Sequence, residues 1–145
     1  MTMASGLYVP IWRDATDTSN LVLNLLLSTN KIDLYLNAKT PNFDTDAAYD
    51  ATNEVATATG YTRDTKTVGG TPTWDSSANG ILKYSWSTTV SWTTATFTAR
   101  GYILHTAADN YPFFAYTFGA DVSPVAGSLT LTAHADGIFY LDLVP

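Results

Sequence analysis

Apolar and polar residues alternate with a period of two in several short stretches of the chain. Residues 32–37 alternate strictly, which predicts a strand with Ile32, Leu34 and Leu36 facing a core. Residues 95–106 continue the alternation furthest and predict the longest strand. One face of that strand would carry Phe97, Ala99, Gly101, Ile103 and His105. The period of two therefore makes strands the dominant predicted element.

Residues with turn-forming chemistry separate these stretches. The Asn79-Gly80 pair favours the positive φ angles of a tight hairpin and leads into a predicted strand over residues 81–86. The Asp136-Gly137 pair predicts a final hairpin in which residues 129–133 pair with residues 138–143. Short strands joined by such turns indicate an all-β fold, either an antiparallel β-sandwich or a flattened barrel.

One leucine-rich segment departs from the period of two. Residues 20–27 follow two candidate N-caps, Asp17 and Ser19, and end at a polar stretch beginning with Ser28. Because leucine is a good helix former, the segment predicts one short helix of about two turns. A buried strand is the alternative, since short apolar runs do not separate the two elements.

The N-terminal residues 1–18 show no sustained period and predict an extended arm ahead of a single β-sandwich domain over residues 19–145. The arm contains several large apolar residues that are too hydrophobic for a free tail. We expect them to be buried against the domain or a partner chain, with Trp12 as the anchor. The candidate interface residues are Leu7, Tyr8, Val9, Ile11 and Trp12.

Charge and composition narrow the classes of partner. The net charge is −6, and the seven Lys and Arg residues are spread singly along the sequence. Because binding to phosphates needs clustered cations, nucleic acid is not an expected partner. Charged residues make up 14% of the chain, against about a quarter in a typical domain. Such a surface suits packing against protein, although Thr-rich surfaces are also ordinary in β-proteins.

The sequence lacks three features that would indicate other classes of protein: cysteine, a membrane-spanning segment and a secretory signal. There is no cysteine, so disulfides and thiolate metal sites are excluded. The apolar run at residues 21–27 is too short to cross a bilayer, so no membrane partner is expected. The first twenty residues lack the basic and apolar regions of a secretory signal.

The polar side chains do not form a recognised catalytic pattern. His105 and His134 match no zinc-binding spacing, and each is expected to be a surface or edge-strand imidazole. The nucleophile elbow Gly-x-Ser-x-Gly is absent. We therefore predict a protein that is not an enzyme, with no catalytic residue, cofactor or metal.

An acidic loop is the one local concentration of charge, formed by Asp44, Asp46, Asp50 and Glu54. Paired acids of this kind suit glycoside hydrolysis, and a loop of oxygen ligands suits calcium. The spacing lacks the glycine and terminal glutamate of an EF-hand, and aspartate is common in turns. The favoured interpretation is a solvated loop without an ion.

The aromatic residues Trp74, Tyr84, Trp86 and Trp92 allow two interpretations. They suit a platform on which sugars stack, and they also suit the core of a small β-domain. Because Leu82, Tyr84 and Trp86 share one face of a predicted strand, the core is favoured.

Four motifs then occur in a fixed order along the chain. They are Thr52-Asn53-Glu54-Val55 with Thr59-Gly60-Tyr61-Thr62, Trp92 with residues 95–102, Phe118-Gly119-Ala120-Asp121, and Gly137-Ile138. In this order, and over residues 20–143, the chain resembles a family of small virion structural proteins of tailed bacteriophages. Residues 1–18 match nothing in that family.

The resemblance implies a capsid decoration or minor capsid protein that binds and stabilises the head shell. It implies as partners the major capsid protein and further copies of the chain, as a dimer or trimer. The expected location is the capsid surface of the virion, after assembly in the host cytoplasm. A tail or fibre component that contacts the host, and a glycan-binding or glycan-active β-domain, are the alternatives.

Overall fold

The computed structural model describes residues 2–17, 23–78 and 80–144. Within these ranges the chain is mostly β-structure with one short helix near the N-terminus, which confirms the predicted fold class. The elements are β1 (Gly6–Leu7), α1 (Val9–Thr16), β2 (Lys31–Tyr35), β3 (Pro72–Ala78), β4 (Ile81–Trp86), β5 (Val90–Ala95), β6 (Ala99–His105), β7 (Pro112–Val122), β8 (Gly127–Leu131) and β9 (Phe139–Asp142).

The strands form antiparallel sheets that enclose an apolar core. One sheet has the order β1-β7-β6-β2, a second the order β3-β4-β9, and β5 pairs with β8. The first sheet packs on the second largely through aromatic rings. Phe114 of β7 stacks on Phe139 of β9 with ring centroids 4.8 Å apart, and Tyr84 of β4 meets Phe113 of β7 edge-on at 6.0 Å. The arrangement is therefore sandwich-like.

In the four-stranded sheet, most residues of β2 and β6 and the first four residues of β7 are buried, on both faces. Its inner face presents Ile32, Leu34 and Leu104 to the core between the sheets. Its outer face is covered by the N-terminal residues and the loop after β2, which enclose a second apolar cluster. That cluster consists of Met3, Tyr8, Ile11, Tyr35, Ile103 and Ala115.

This two-sided burial corrects the strand pattern predicted for residues 32–37. Asp33 and Tyr35 point away from the predicted core face, yet both are buried on the outer side of the sheet. Leu36, predicted to face the core, follows the end of β2 and is 37% exposed. Alternation locates a strand, but it cannot show that a distant segment covers the polar face.

The helix lies earlier in the chain than predicted, inside the segment that was expected to be an extended arm. Pro10 occupies the first turn of α1, where its fixed φ favours a helix and its missing N–H has no partner to lose. Ahead of the helix, Gly6 pairs with Ala115 of β7. The backbone N–H of Val9 donates to the carbonyl of Phe43 at 2.8 Å. The segment is thus packed on its own domain.

The helix predicted at residues 20–27 is not found where the structure describes the segment. Residues 20–22 lie outside the described ranges, and within residues 23–27 the structure has a turn at Leu25 and Leu26 and no helix. Asn24 explains the difference, because its side-chain oxygen accepts the N–H of Leu26, an arrangement that competes with helical hydrogen bonds. Leu25 is buried, and its carbonyl accepts a hydrogen bond from the Tyr84 hydroxyl at 2.9 Å.

Two strand predictions in the C-terminal half are also wrong. The strand predicted over residues 95–106 is interrupted after Ala95, next to Thr94 with its positive φ of 52°, and β6 begins at Ala99. The longest described strand is β7, with 11 residues. The two strands of the predicted final hairpin do not pair with each other. β8 pairs with β5 and β9 pairs with β4, so the turn at Gly137 connects two sheets.

Candidate functional site

A buried polar centre lies on the outer side of the four-stranded sheet, at the ends of β2 and β6. Antiparallel pairing of Lys31 with His105 places Asp33 diagonally opposite His105 on the same face. The loop before β3 brings Asp64 to the same place. The side chains of Asp33 and His105 are fully buried, and that of Asp64 is half exposed.

The hydrogen bonds of His105 fix the orientation of its ring. Nε2 lies 2.6 Å from Oδ2 of Asp33, and Nδ1 lies 3.2 Å from the carbonyl oxygen of Thr106. Because a carbonyl oxygen only accepts, Nδ1 is the donor to Thr106, and Nε2 shares a hydrogen-bond proton with Asp33 Oδ2. The expectation that His105 is a surface or edge-strand imidazole is therefore wrong. His134, by contrast, is exposed.

Glu54 forms the adjoining part of this buried polar centre. Its carboxylate accepts hydrogen bonds from the hydroxyls of Tyr49 and Tyr61, while the Arg63 guanidinium donates to its backbone carbonyl at 2.9 Å. Burial raises the pKa of Glu54 above its ordinary value, against the effect of the two tyrosine hydrogen bonds. Burial likewise raises the pKa of both tyrosine hydroxyls.

The four acids of the predicted acidic loop have separate surroundings. Asp50 pairs with Lys39 at 2.7 Å, and hydrogen bonds from Lys39 and then Thr52 lower the pKa of Asp50 to about 2. Asp46 accepts the backbone N–H of Asn42, Asp44 is exposed, and Glu54 is buried among tyrosines. The described geometry therefore does not join these four carboxylates into one site.

Three of the four aromatic candidates for a sugar platform belong to the core. Tyr84, Trp86 and Trp92 are at most 5% exposed. Trp74 is half-buried and packs edge-on against Tyr84 and Phe139. A different ring is accessible, because Tyr116 of β7 is 42% exposed and stacks on Tyr102 at 5.5 Å.

The candidate interface residues of the N-terminal segment fall into two groups. Tyr8 and Ile11 are buried in the outer cluster of their own domain. Leu7, Val9 and Trp12 instead line a surface groove of about 440 Å³, which we call the N-terminal groove. The residues lining it are Leu7, Val9, Trp12, Arg13, Thr16 and Leu141.

Trp12 is held firmly within the N-terminal groove. Its indole N–H donates to the carbonyl of Phe113 at 3.3 Å, and its ring meets Phe139 edge-on at 6.2 Å. Among the described residues that line the groove, only Arg13 is charged, and its guanidinium pairs with Asp14 at 2.8 Å. The groove therefore offers an apolar, largely uncharged and pre-formed surface.

The chemistry available to these sites differs. In the buried polar centre both nitrogens of His105 are engaged by Asp33 and Thr106, so the imidazole has no free nitrogen with which to activate a nucleophile. The ligand atoms of Asp33, Asp64 and His105 lie within 4.8 Å of one another, close enough to share a metal ion. The sequence missed this set because its members are far apart along the chain.

Comparisons with known proteins add no relative. No protein-family model, no curated protein and no solved structure matches the chain. Within the described residues, no helix has the length and apolar character needed to cross a membrane.

Proposed function

We propose that this chain is a non-enzymatic structural protein of a bacteriophage virion, which binds the outer surface of the capsid shell and stabilises it. The observation that carries the proposal is the N-terminal groove, an exposed apolar surface built around a fixed tryptophan. The resemblance of residues 20–143 to small virion structural proteins supplies the class of partner, the major capsid protein.

The N-terminal groove has the properties of a protein-binding site. Large aromatic side chains held in place before binding lose little conformational entropy when a partner arrives, and tryptophan is enriched among residues that dominate binding energy. Val9 is 50% exposed beside Trp12, so apolar area is available to an incoming segment. Because the described lining is apolar apart from Arg13 and Thr16, an apolar segment of the shell protein is the occupant that fits.

A capsid shell presents many copies of its subunit, so a small groove on each copy of this chain is sufficient for binding. A groove lined by six residues gives modest affinity to one copy. Copies of this chain that associate as a dimer or trimer would bind the shell at several points at once, so their combined affinity rises by avidity. The proposal therefore includes self-association on the capsid.

A binding assay on assembled shells tests the proposal. Purified chain is mixed with empty shells of the major capsid protein encoded with it, and bound protein is measured after sedimentation. Val9→Asp places a charge in the groove without straining α1, because an acid near a helix N-terminus is favourable. We expect this variant to lose at least tenfold in shell affinity.

Val125→Asp is the matched control, since Val125 is 80% exposed between β7 and β8 and does not line the groove. We expect it to bind as the unmodified chain does. Failure of the unmodified chain to bind shells contradicts the capsid role. Equal binding by both variants contradicts the assignment to the N-terminal groove.

The accessible Tyr116 supports a second candidate, a glycan-binding surface. Sugars stack on exposed aromatic rings, and Tyr116 with Phe118 lines a groove of about 290 Å³. Binding of cell-wall oligosaccharides that is lost in Tyr116→Ala would support this candidate and a tail location. Unchanged protein fluorescence on addition of oligosaccharides would contradict it.

A further inference from the structure

The ligand atoms of the buried polar centre are two carboxylate oxygens and one imidazole nitrogen. Asp33, Asp64 and His105 come from β2, the loop before β3, and β6, so the fold rather than a local motif assembles them. Imidazole and carboxylate together are a typical donor set for zinc and neighbouring divalent transition metals. Calcium, which takes oxygen ligands, fits this set less well.

Hydrogen bonds from neighbouring groups hold His105 and Asp33 in the orientations that metal ligands adopt. Histidines that bind metals through one ring nitrogen usually donate from the other to a carbonyl or carboxylate. In His105 the Nδ1 proton has the carbonyl of Thr106 as its acceptor, which leaves Nε2 directed at both aspartates. The second oxygen of Asp33 accepts the backbone N–H of Asp64 at 3.0 Å, which orients that carboxylate.

The distances between ligand atoms are close to those of a tetrahedral site. Two ligands bound at about 2.0–2.1 Å in a tetrahedron lie about 3.3 Å apart. His105 Nε2 lies 2.6 Å from Asp33 Oδ2 and 3.6 Å from Asp64 Oδ1, so these two distances need to change by less than about 1 Å. The two carboxylate oxygens lie within 4.8 Å of each other. Asp64 is half exposed, which leaves an entry path and an open position for water.

We propose that Asp33, Asp64 and His105 bind one divalent transition-metal ion of the zinc class. The ion replaces the proton shared by His105 and Asp33, which is released to solvent. Two carboxylates then balance the charge of the ion. Bound metal would tie the loop carrying Asp64 to the β2–β6 edge, so its role in this protein is to stabilise the fold.

Lys31 sets a limit on the affinity of the site. Its ammonium group donates to the carbonyl of Asp64 at 2.7 Å and lies 3.8 Å from Asp64 Oδ1. A cation in this position competes for the same carboxylate and repels a metal ion. Removing the charge with Lys31→Met should therefore increase metal affinity.

Cobalt titration of the untagged full chain tests the proposal, because Co²⁺ bound in a tetrahedral or five-coordinate protein site absorbs visible light. We expect one Co²⁺ per chain, displaced by Zn²⁺. Asp64→Asn removes one ligand at a half-exposed position where Asn tolerates the positive φ of 52°, so the variant should fold. It should lose at least tenfold in affinity, whereas Lys31→Met should gain.

Two matched variants exclude binding elsewhere. Asp44→Asn removes the same charge from the acidic loop, and His134→Ala removes the exposed imidazole that lies 3.4 Å from Asp136. Both should bind as the unmodified chain does. The proposal is overturned if the unmodified chain gives no visible absorption with Co²⁺, if Asp64→Asn binds equally well, or if His134→Ala abolishes binding.

Discussion

Asp33 and His105 face each other across β2 and β6, with 2.6 Å between Oδ2 and Nε2 and neither side chain exposed to solvent. The pair lies at the edge of the outer apolar cluster, beneath the ring of Tyr49, whose centroid is 4.7 Å from that of the imidazole. Burial removes water as a hydrogen-bond partner for both side chains. Each side chain therefore depends on the other for a hydrogen bond, and removing one leaves the other buried without that partner.

Breaking this pair should destabilise the metal-free protein strongly. We expect Asp33→Ala to lower the free energy of unfolding by about 3–5 kcal/mol, because it leaves His105 buried without its partner. His105→Ala should cost a similar amount. The loss of unfolding free energy in the double variant should be smaller than the sum of the two single losses, by at least about 1 kcal/mol. Urea unfolding in EDTA measures all three, and additive losses would show that the two side chains are not coupled.

The N-terminal helix should contribute to the stability of the domain. Ile11 is 1% exposed in the outer cluster, so Ile11→Ala should lower the free energy of unfolding by about 2–5 kcal/mol. Val9→Ala is the control on the same helix, where 50% exposure limits the loss to about 0.5 kcal/mol. Equal effects of the two substitutions in urea unfolding would mean that the helix is not packed as described.

Glu54 should make stability fall as pH rises through its titration. Its pKa in the folded protein is raised above the unfolded value of 4.5, so the native state holds the proton after the unfolded chain has lost it. The stabilisation is therefore complete below the unfolded pKa and is lost as pH rises through the folded pKa. Glu54→Gln, which does not titrate, should lack this loss.

The measurement is the difference in unfolding free energy between the unmodified chain and Glu54→Gln, from pH about 4 to about 8. We expect the unfolding free energy of the unmodified chain to fall relative to that of Glu54→Gln as pH rises. Asp44→Asn, at an exposed position of the same loop, is the control for the removal of one carboxyl group. A difference that is constant, or that shifts in favour of the unmodified chain, would show that burial does not dominate at Glu54.

Gly101 should be intolerant of any side chain. A Cβ added there would lie 2.1 Å from the carbonyl oxygen of Tyr116 on the paired strand β7, and backbone cannot move aside without opening the sheet. Gly101→Ala should cost about 1–3 kcal/mol or more. Gly127→Ala, whose nearest contact would be 3.7 Å away, should change stability by less than about 0.5 kcal/mol. Equal thermal shifts would contradict the close approach of β6 and β7.

The sequence predicted the fold class well because local chemistry encodes it. Period-two alternation located β2 and β4, and Gly80 with its φ of 68° occupies the turn before β4, as the Asn-Gly pair predicted. The same local information misplaced the helix. Pro10 favours a helix start, but the short apolar run around it shows no sustained period, whereas the stronger leucine run is held in a turn through Asn24.

The candidate sites were less predictable because they depend on long-range contacts. Asp33 and His105 are 72 positions apart, and nothing near either residue shows that the N-terminal segment covers their face of the sheet. An aspartate within an otherwise apolar strand was the available signal, since a buried carboxylate needs a partner. The N-terminal groove was partly anticipated, because the apolar residues of the first eighteen positions indicated a packed or binding segment.

The central claim, our proposal that the chain binds the outside of a capsid shell, is tested most directly by imaging phage particles. A cryo-EM reconstruction of particles produced with the genes encoding this chain and its shell protein would place the domain, and its sandwich-like fold is recognisable at the resolution of separated strands. We expect density for the domain on the outer surface of the head, with Val9 and Trp12 of the N-terminal groove against the major capsid protein. Heads that lack the domain, or a domain bound with this groove facing solvent, would contradict it.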